Sequence, residues 1–233
     1  MKKVNHPSSK RFKEAQKKID PRKVYPVAEA IELAKATSTV KFDATVEVHV
    51  KLGINPKKSD QQVRSSVALP YGTGKTIKVA VIADNGDQQK AAKTAGADLV
   101  GEADLIENIK KGKIDFDILV ATPSAMRLLA PVAKVLGPKG LMPNPKDGTV
   151  TQNIAEAVTN LKKGKINFKN DDSANIHALI GKVSFDKEKL IANFSAFLDG
   201  VLKAKPSSAK GNYIKNVTLS TSMGPGIKVE FLK

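Results

Sequence analysis

The chain has 233 residues, 41% of them hydrophobic and 27% charged, and it contains no Cys and no Trp. That balance excludes wholesale disorder, and zero Cys excludes a disulfide framework, a thiolate nucleophile and a Cys-ligated zinc. An excess of 39 Lys+Arg over 23 Asp+Glu sets the formal net charge at +16, which points to a polyanionic partner, most often nucleic acid. No stretch approaches the roughly 20 apolar residues of a membrane span, and no apolar run follows the basic N-terminus. The expectation is an intracellular protein without a membrane anchor or a secretory signal.

The first 23 residues, nine basic and two acidic, read as a basic tail acting as a loose electrostatic arm. Residues 26–35 then read as a helix, with Pro26 in the first turn and Val27, Ile31 and Ala34 spaced as one apolar stripe. The cleanest strand follows at 45–51, where three valines alternate with four polar residues, so that one face is buried and the other meets water or a ligand. Residues 63–69 predict another strand, and Pro70-Tyr71-Gly72-Thr73-Gly74 breaks the chain. Beyond it the pattern changes to apolar strands at 77–83, 97–100 and 116–121, separated by helices at 88–95 and 103–111. A helix from Ser124 is interrupted by Pro131 and continues to Leu136. Near-continuous apolar strands between helices indicate a parallel sheet buried on both faces. Past Gly164 the first style returns: strands at 166–168 and 176–184, and a helix capped by Asp186 with Leu190, Ile191, Phe194, Phe197, Leu198, Val201 and Leu202 on one stripe. A last strand pair is expected at 217–222 and 227–231.

Neither end holds enough elements for its own core, but together they do. The expected architecture is a discontinuous α+β domain built from 1–71 plus 164–233, with a three-layer, Rossmann-like α/β domain inserted at 72–163. Gly72 and Gly164 mark the two crossings and serve as candidate hinges. Charge follows this division: residues 1–71 carry net +8 and 164–233 net +5, whereas 72–163 carries only +3. The runs Lys110-Lys111-Gly112-Lys113-Ile114 and Lys162-Lys163-Gly164-Lys165-Ile166 look like an internal repeat. Two helix ends, each with Lys in the last turn and Gly after it, account for them without duplication.

Catalytic patterns fail on their own requirements. Gly72-Thr73-Gly74-Lys75-Thr76 resembles the tail of a phosphate-binding loop, but the first glycine of that pattern is Leu69 here, and a strand follows where a helix is needed. The turn after the first α/β strand, Asp84-Asn85-Gly86-Asp87, lacks G-x-G-x-x-G, and its carboxylates would repel a pyrophosphate. His6, His49 and His177 show no metal-site spacing, and Asp171-Asp172 reads as a solvated turn. No cofactor, metal or enzymatic activity is expected. With only 5% aromatic residues, stacking platforms for single strands are scarce, so folded RNA is the better partner.

Three stretches carry a family resemblance. Lys41-Phe42-Asp43-Ala44-Thr45-Val46-Glu47-Val48, Leu136-Gly137-Pro138-Lys139-Gly140-Leu141-Met142-Pro143-Asn144-Pro145 and Ser220-Thr221-Ser222-Met223-Gly224-Pro225 resemble motifs of the family of bacterial large-subunit ribosomal protein one. The resemblance spans essentially the whole chain. It implies a cytoplasmic, ribosome-associated protein, monomeric when free, that binds large-subunit ribosomal RNA. It also implies that the protein forms the mobile stalk at the exit site for transfer RNA, releases deacylated tRNA there, and represses its own operon by binding that messenger RNA.

Carried over residue by residue, the RNA-binding positions are Lys41, Phe42, Thr45, Glu47, Lys165, Lys169, Asn170, Ser222, Met223 and Gly224, with Lys139 and Met142 as secondary contacts. Ser222 departs from the family's usual Thr, keeping the hydroxyl and losing a methyl. Two side chains have a plainer alternative: Phe42 stacks on RNA or packs into the core, and Glu47 accepts from a 2′-OH or pairs with a lysine. Two other readings of the whole chain compete. One is an α/β-domain enzyme acting on a nucleotide or sugar phosphate, and the other is a free-standing nucleic-acid-binding regulator.

Overall fold

The computed structural model describes residues 9–101 and 103–231. The first eight residues of the basic tail, His6 among them, lie outside the described residues. In chain order the first elements are α1 (Lys10–Lys17), α2 (Val27–Thr37), β1 (Thr45–Leu52), β2 (Arg64–Ala68), β3 (Val79–Ile82), α3 (Gly86–Thr94), β4 (Leu99–Gly101) and α4 (Ala103–Lys110). They are followed by β5 (Ile118–Ala121), α5 (Ala133–Leu136), α6 (Ile154–Lys162), β6 (Lys165–Lys169), β7 (Asn175–Lys182), α7 (Lys187–Lys203), β8 (Ile214–Thr221) and β9 (Ile227–Val229).

The chain divides into two compact units. Unit 1 holds the described residues up to Val63, then Leu69–Gly74, and everything described from Phe168 onward. Unit 2 holds Arg64–Ala68 and Lys75–Asn167. Thus β2 and the first residues of β6, which the sequence pattern groups with the ends, sit with unit 2. One reason for β2 is visible in its first residue: the Arg64 guanidinium grips the buried Asp147 carboxylate through two hydrogen bonds, Nε to Oδ1 at 3.0 Å and Nη2 to Oδ2.

Unit 1 is an antiparallel sheet in the order β7-β1-β8-β9, with α2 and α7 packed on one face. Strand β1 sits centrally, opposing β7 with His49 across from His177, and β8 with His49 across from Thr218. Its apolar positions Val46, Val48, Val50 and Leu52 are sealed in the core, as strict alternation requires. On the expected α7 stripe, Leu190, Phe194, Phe197 and Val201 are buried, while Leu202 turns outward. The stripe also contains a polar member. Asn193 is completely buried, and its amide accepts from Tyr71 N–H at 3.1 Å and donates to the carbonyls of Gly72 (2.9 Å) and Ile180 (2.7 Å). One side chain therefore ties the 69–74 segment and β7 to α7.

Three local expectations need correction. Pro26 stands at the N-cap of α2 rather than inside its first turn. Asp186 occupies the N-cap position of α7 but makes no cap bond, because its carboxylate pairs with Lys189 Nζ at 2.7 Å. The described part of the basic tail is not a loose arm: α1 forms there, capped by Ser9 Oγ accepting from Phe12 N–H at 3.3 Å, with Ala15 and Ile19 buried. Amphipathic spacing hidden among lysines explains the miss.

Unit 2 is the three-layer block. Its parallel sheet has the order β4-β3-β5. Alternate residues of β3 serve opposite cores: Val79 and Val81 pack with Ala92 of α3 and with Ile154, Val158 and Leu161 of α6. Ala80 and Ile82 pack with Ile106 and Ile109 of α4 and with Leu129, Val132 and Leu136. The helix expected from Ser124 is instead two 3-10 turns, Ala125–Arg127 and Ala130–Val132, before the four-residue α5, since Pro131 lacks the N–H a continuous helix needs. Gly112 and Gly164, the paired repeat positions, both follow helix ends at positive φ (79° and 98°), where a left-handed residue closes the last turn.

Candidate nucleic-acid interface

The face of the unit 1 sheet opposite α2 and α7 is polar and open. Alternation puts Thr45, Glu47, His49 and Lys51 of β1 on it. Register brings Lys182, Leu179, His177 and Asn175 alongside from β7, and Ser220, Thr218 and Asn216 from β8. Lys182 Nζ donates to Thr45 Oγ1 at 2.9 Å, and Lys51 Nζ donates to the Ser173 carbonyl. Glu47 has His49 as its neighbour at 3.8 Å and no lysine within ion-pair distance among the described residues, so the lysine-pair alternative falls away.

Two histidines that are 128 residues apart in sequence meet at the centre. His49 Nδ1 lies 2.7 Å from His177 Nδ1, and His49 Nε2 lies 2.9 Å from Ser220 Oγ. On the far side, His177 Nε2 is 3.5 Å from Asp171 Oδ2. Asp171 is not a plain solvated turn residue. It accepts from Ser173 N–H (2.9 Å), Asn175 N–H (2.6 Å) and Asn175 Nδ2 (2.9 Å). The Asn175 bonds above all hold its carboxyl down at about 2.

Burial, reinforced by the neighbouring His177, lowers the His49 pKa from its ordinary value, and Glu47 opposes only in part. Folded His49 therefore stays neutral where the unfolded chain already takes up a proton. Its contribution to stability is whole above about pH 6.5 and is lost as pH falls through that value toward the depressed folded pKa. The melting temperature is expected to drop between pH 7.5 and 5.5, and His49→Gln should flatten that interval. A profile identical in parent and variant would contradict this. Asp171 acts lower on the scale: its contribution is present above about pH 4 and fades as pH approaches the folded value near 2.

The turn after β8 stands at one end of this face. Ser222 N–H donates to the Thr45 carbonyl at 3.0 Å, and its Oγ accepts from Thr45 N–H at 3.2 Å. The hydroxyl that survives the Thr-to-Ser departure is thus used to lock the turn to β1. Met223 has φ of 63° and is 71% exposed. A flexible apolar side chain held out in a strained, left-handed conformation is unusual, because that region costs a non-glycine residue roughly 1–2 kcal/mol. Gly224 has a steric rather than a conformational reason to be glycine. Its φ is not positive, and the need for glycine comes from Thr221, whose Oγ1 would lie 2.2 Å from an added Cβ. Substituting Gly224 disturbs the turn itself, so it is Met223 that isolates contact from fold.

Phe42 is 57% exposed, which removes core packing as its role. It stands beside the exposed Lys41, in a segment anchored by Asp43, whose carboxylate accepts from Ser184 N–H (3.1 Å) and Oγ (2.8 Å). Lys169 is exposed at the end of β6. The Asn170 side chain is spent internally: Oδ1 accepts from Val63 N–H at 2.7 Å and Nδ2 donates to the Asp171 carbonyl at 3.0 Å.

Lys165 belongs to unit 2, where its ammonium lies 2.7 Å from a Cβ placed on Gly148. Lys139 is exposed, also in unit 2, whereas Met142 packs half-buried against the Ile82–Leu136 core. Gly72 (φ 65°) is fixed through its carbonyl to Asn193, and Gly164 closes α6. The structure therefore brings Thr45, Glu47 and Ser222 to one open face, with the exposed Met223 at its end. It adds His49, His177, Lys182 and Ser220, which sequence spacing missed because cross-strand register is invisible to it.

Comparison with known proteins decides the family. The model of the ribosomal protein L1p/L10e family matches residues 34–225. The chain belongs to that family. It is 56% identical over 223 residues to the large ribosomal subunit protein uL1 of Mycobacteroides abscessus, covering 96% of this chain and 94% of that protein. It is 56% identical over 224 residues to the uL1 of Mycoplasma capricolum (96% and 98%) and 54% identical over 222 residues to that of Thermobifida fusca (95% and 94%). The L1p/L10e family consists of structural ribosomal proteins and not of enzymes, in line with the lack of a catalytic pattern in the sequence. The match includes all three motifs, from Lys41 to Pro225.

Proposed function

We propose that this protein is a structural component of the large ribosomal subunit, cytoplasmic and ribosome-associated, whose unit 1 binds ribosomal RNA through the open sheet face and the Ser222-Met223-Gly224 turn. The observation that carries this is Met223, exposed and held at positive φ at the end of a polar sheet face. Strain retained at an exposed apolar side chain fits a contact made only with a partner. Met223 lies against a ribose or base, Thr45, Glu47 and the His49–Ser220 pair address 2′-hydroxyls and base edges, and Lys41 and Lys169 neutralise phosphate. In the subunit the protein forms the mobile stalk at the exit site and takes part in release of deacylated tRNA. Off the ribosome it is a monomer and represses its own operon by binding a similar fold in the messenger RNA.

Co-sedimentation with large subunits in high-salt gradients, with an RNA footprint on total ribosomal RNA, tests the first part. Absence from the large-subunit peak, or a footprint spread evenly over the RNA, would contradict it. Lys165 and Lys169 are proposed as phosphate contacts, and each change to Ala should lower the slope of log affinity against log salt by about 0.7–0.9. Cognate and scrambled RNA should weaken alike, and an unchanged slope places that lysine away from the backbone.

A further inference from the structure

Beyond the end of β1, away from the Met223 turn, two loops of unit 1 enclose a cavity of about 440 Å³ lined by Asn55, Lys58, Gln61, Ser208, Lys210 and Lys215 among others. The loops are stitched together. Gln61 Oε1 accepts from Asn55 N–H at 2.7 Å, Gln61 Nε2 donates to the Ser208 carbonyl at 3.3 Å, and Ser208 Oγ donates to the Asp60 carbonyl at 3.1 Å. At the base, Gly53 N–H donates to the Tyr213 carbonyl at 2.7 Å, and the backbones run so close that a Cβ on Gly53 would lie 2.2 Å from the Asn212 carbonyl oxygen. The cavity walls are thus held before any ligand arrives.

Three exposed lysines, Lys58, Lys210 and Lys215, line this cavity, and none of their ammonium groups has a hydrogen-bond or ion-pair partner among the described residues. The one carboxylate in the two loops, Asp60, does not line it. A concave site of one charge sign focuses its field outward and draws counter-charge in. The lining includes no aromatic ring, so base stacking is not its chemistry, whereas lysines backed by amide and hydroxyl groups suit a phosphate.

We infer that this cavity is a second RNA contact, taking one backbone phosphate of the RNA whose fold is read at the other end of the sheet. The inference rests on the proposed RNA-binding function. Eight residues of β1 at about 3.3 Å each separate the two ends by roughly 25 Å, a span a folded RNA lying along the strand can bridge. The Met223 end discriminates and the lysine end holds.

The test uses the full chain with Lys58→Gln, Lys210→Gln and Lys215→Gln combined, and a companion carrying Arg at the same three positions. Inorganic pyrophosphate, followed by amide NMR, should shift residues 53–61 and 206–215 in the parent and the Arg variant but not in the Gln variant. The Gln variant should lower the salt slope by about 0.7–0.9, the value of one phosphate, on cognate and scrambled RNA alike. Because scrambled RNA also reports the slope, loss of cognate preference in the parent would count against the proposed reader and not against this site. No pyrophosphate shift at these residues overturns the site, and a shift with an unchanged slope overturns its assignment to RNA.

Discussion

Replacing Asn193 by leucine is expected to cost unit 1 about 3–5 kcal/mol, although the substitution adds apolar volume to an apolar helix face. The amide bonds the Tyr71 N–H and the carbonyls of Gly72 and Ile180. Its loss leaves the buried Ile180 carbonyl and the part-buried Tyr71 N–H and Gly72 carbonyl without that partner, and an unsatisfied group costs about 1–3 kcal/mol where it is buried. Partial relief comes from the second lone pair of each carbonyl, which keeps the total below the simple sum. Urea unfolding should show a midpoint lowered by more than 1 M with an unchanged slope, given about 1–3 kcal/mol/M for small domains. A loss under 1 kcal/mol would mean that the 69–74 segment is held by something other than this side chain.

Met223→Ala is expected to lose about 5- to 150-fold in affinity for cognate RNA, corresponding to 1–3 kcal/mol for a contact as valuable as a good base contact. Scrambled RNA should be bound as before, because the charge is untouched. The melt should also be unchanged, since the side chain is exposed and alanine keeps the same left-handed strain. Met223→Gly sharpens the result: it removes the side chain and the strain together, so the variant should be at least as stable as the parent yet bind cognate RNA as poorly as the alanine variant. Parent-like affinity in both variants would make the turn only a turn.

What could be read from the sequence divides along physical lines. The alternation of β1 and the continuous apolar strands of unit 2 are local patterns, and the structure keeps both. The Ser222-Met223-Gly224 turn was recognisable as a motif, but the role of its glycine was not. Gly224 answers to Thr221 Oγ1, a contact set by how the turn folds back. The His49–His177 pair depends on register between β1 and β7, which no spacing along the chain encodes. Asn193 carries no local signal of its role, because its partners Tyr71 and Gly72 lie more than 100 residues away. The residues that hold the site in place were the hardest to foresee, since their contacts are set by register and by the return of the chain.

The central claim is that RNA is read in unit 1 at the Met223 turn, and methionine methyl groups report on it directly. Besides Met1, the chain has Met126 and Met142 in unit 2 and Met223 in unit 1. In a methyl-labelled full-length sample titrated with a large-subunit ribosomal RNA fragment, the Met223 methyl should shift from the first substoichiometric additions while Met126 and Met142 hold their positions. A spectrum in which Met142 moves and Met223 stays would contradict the account.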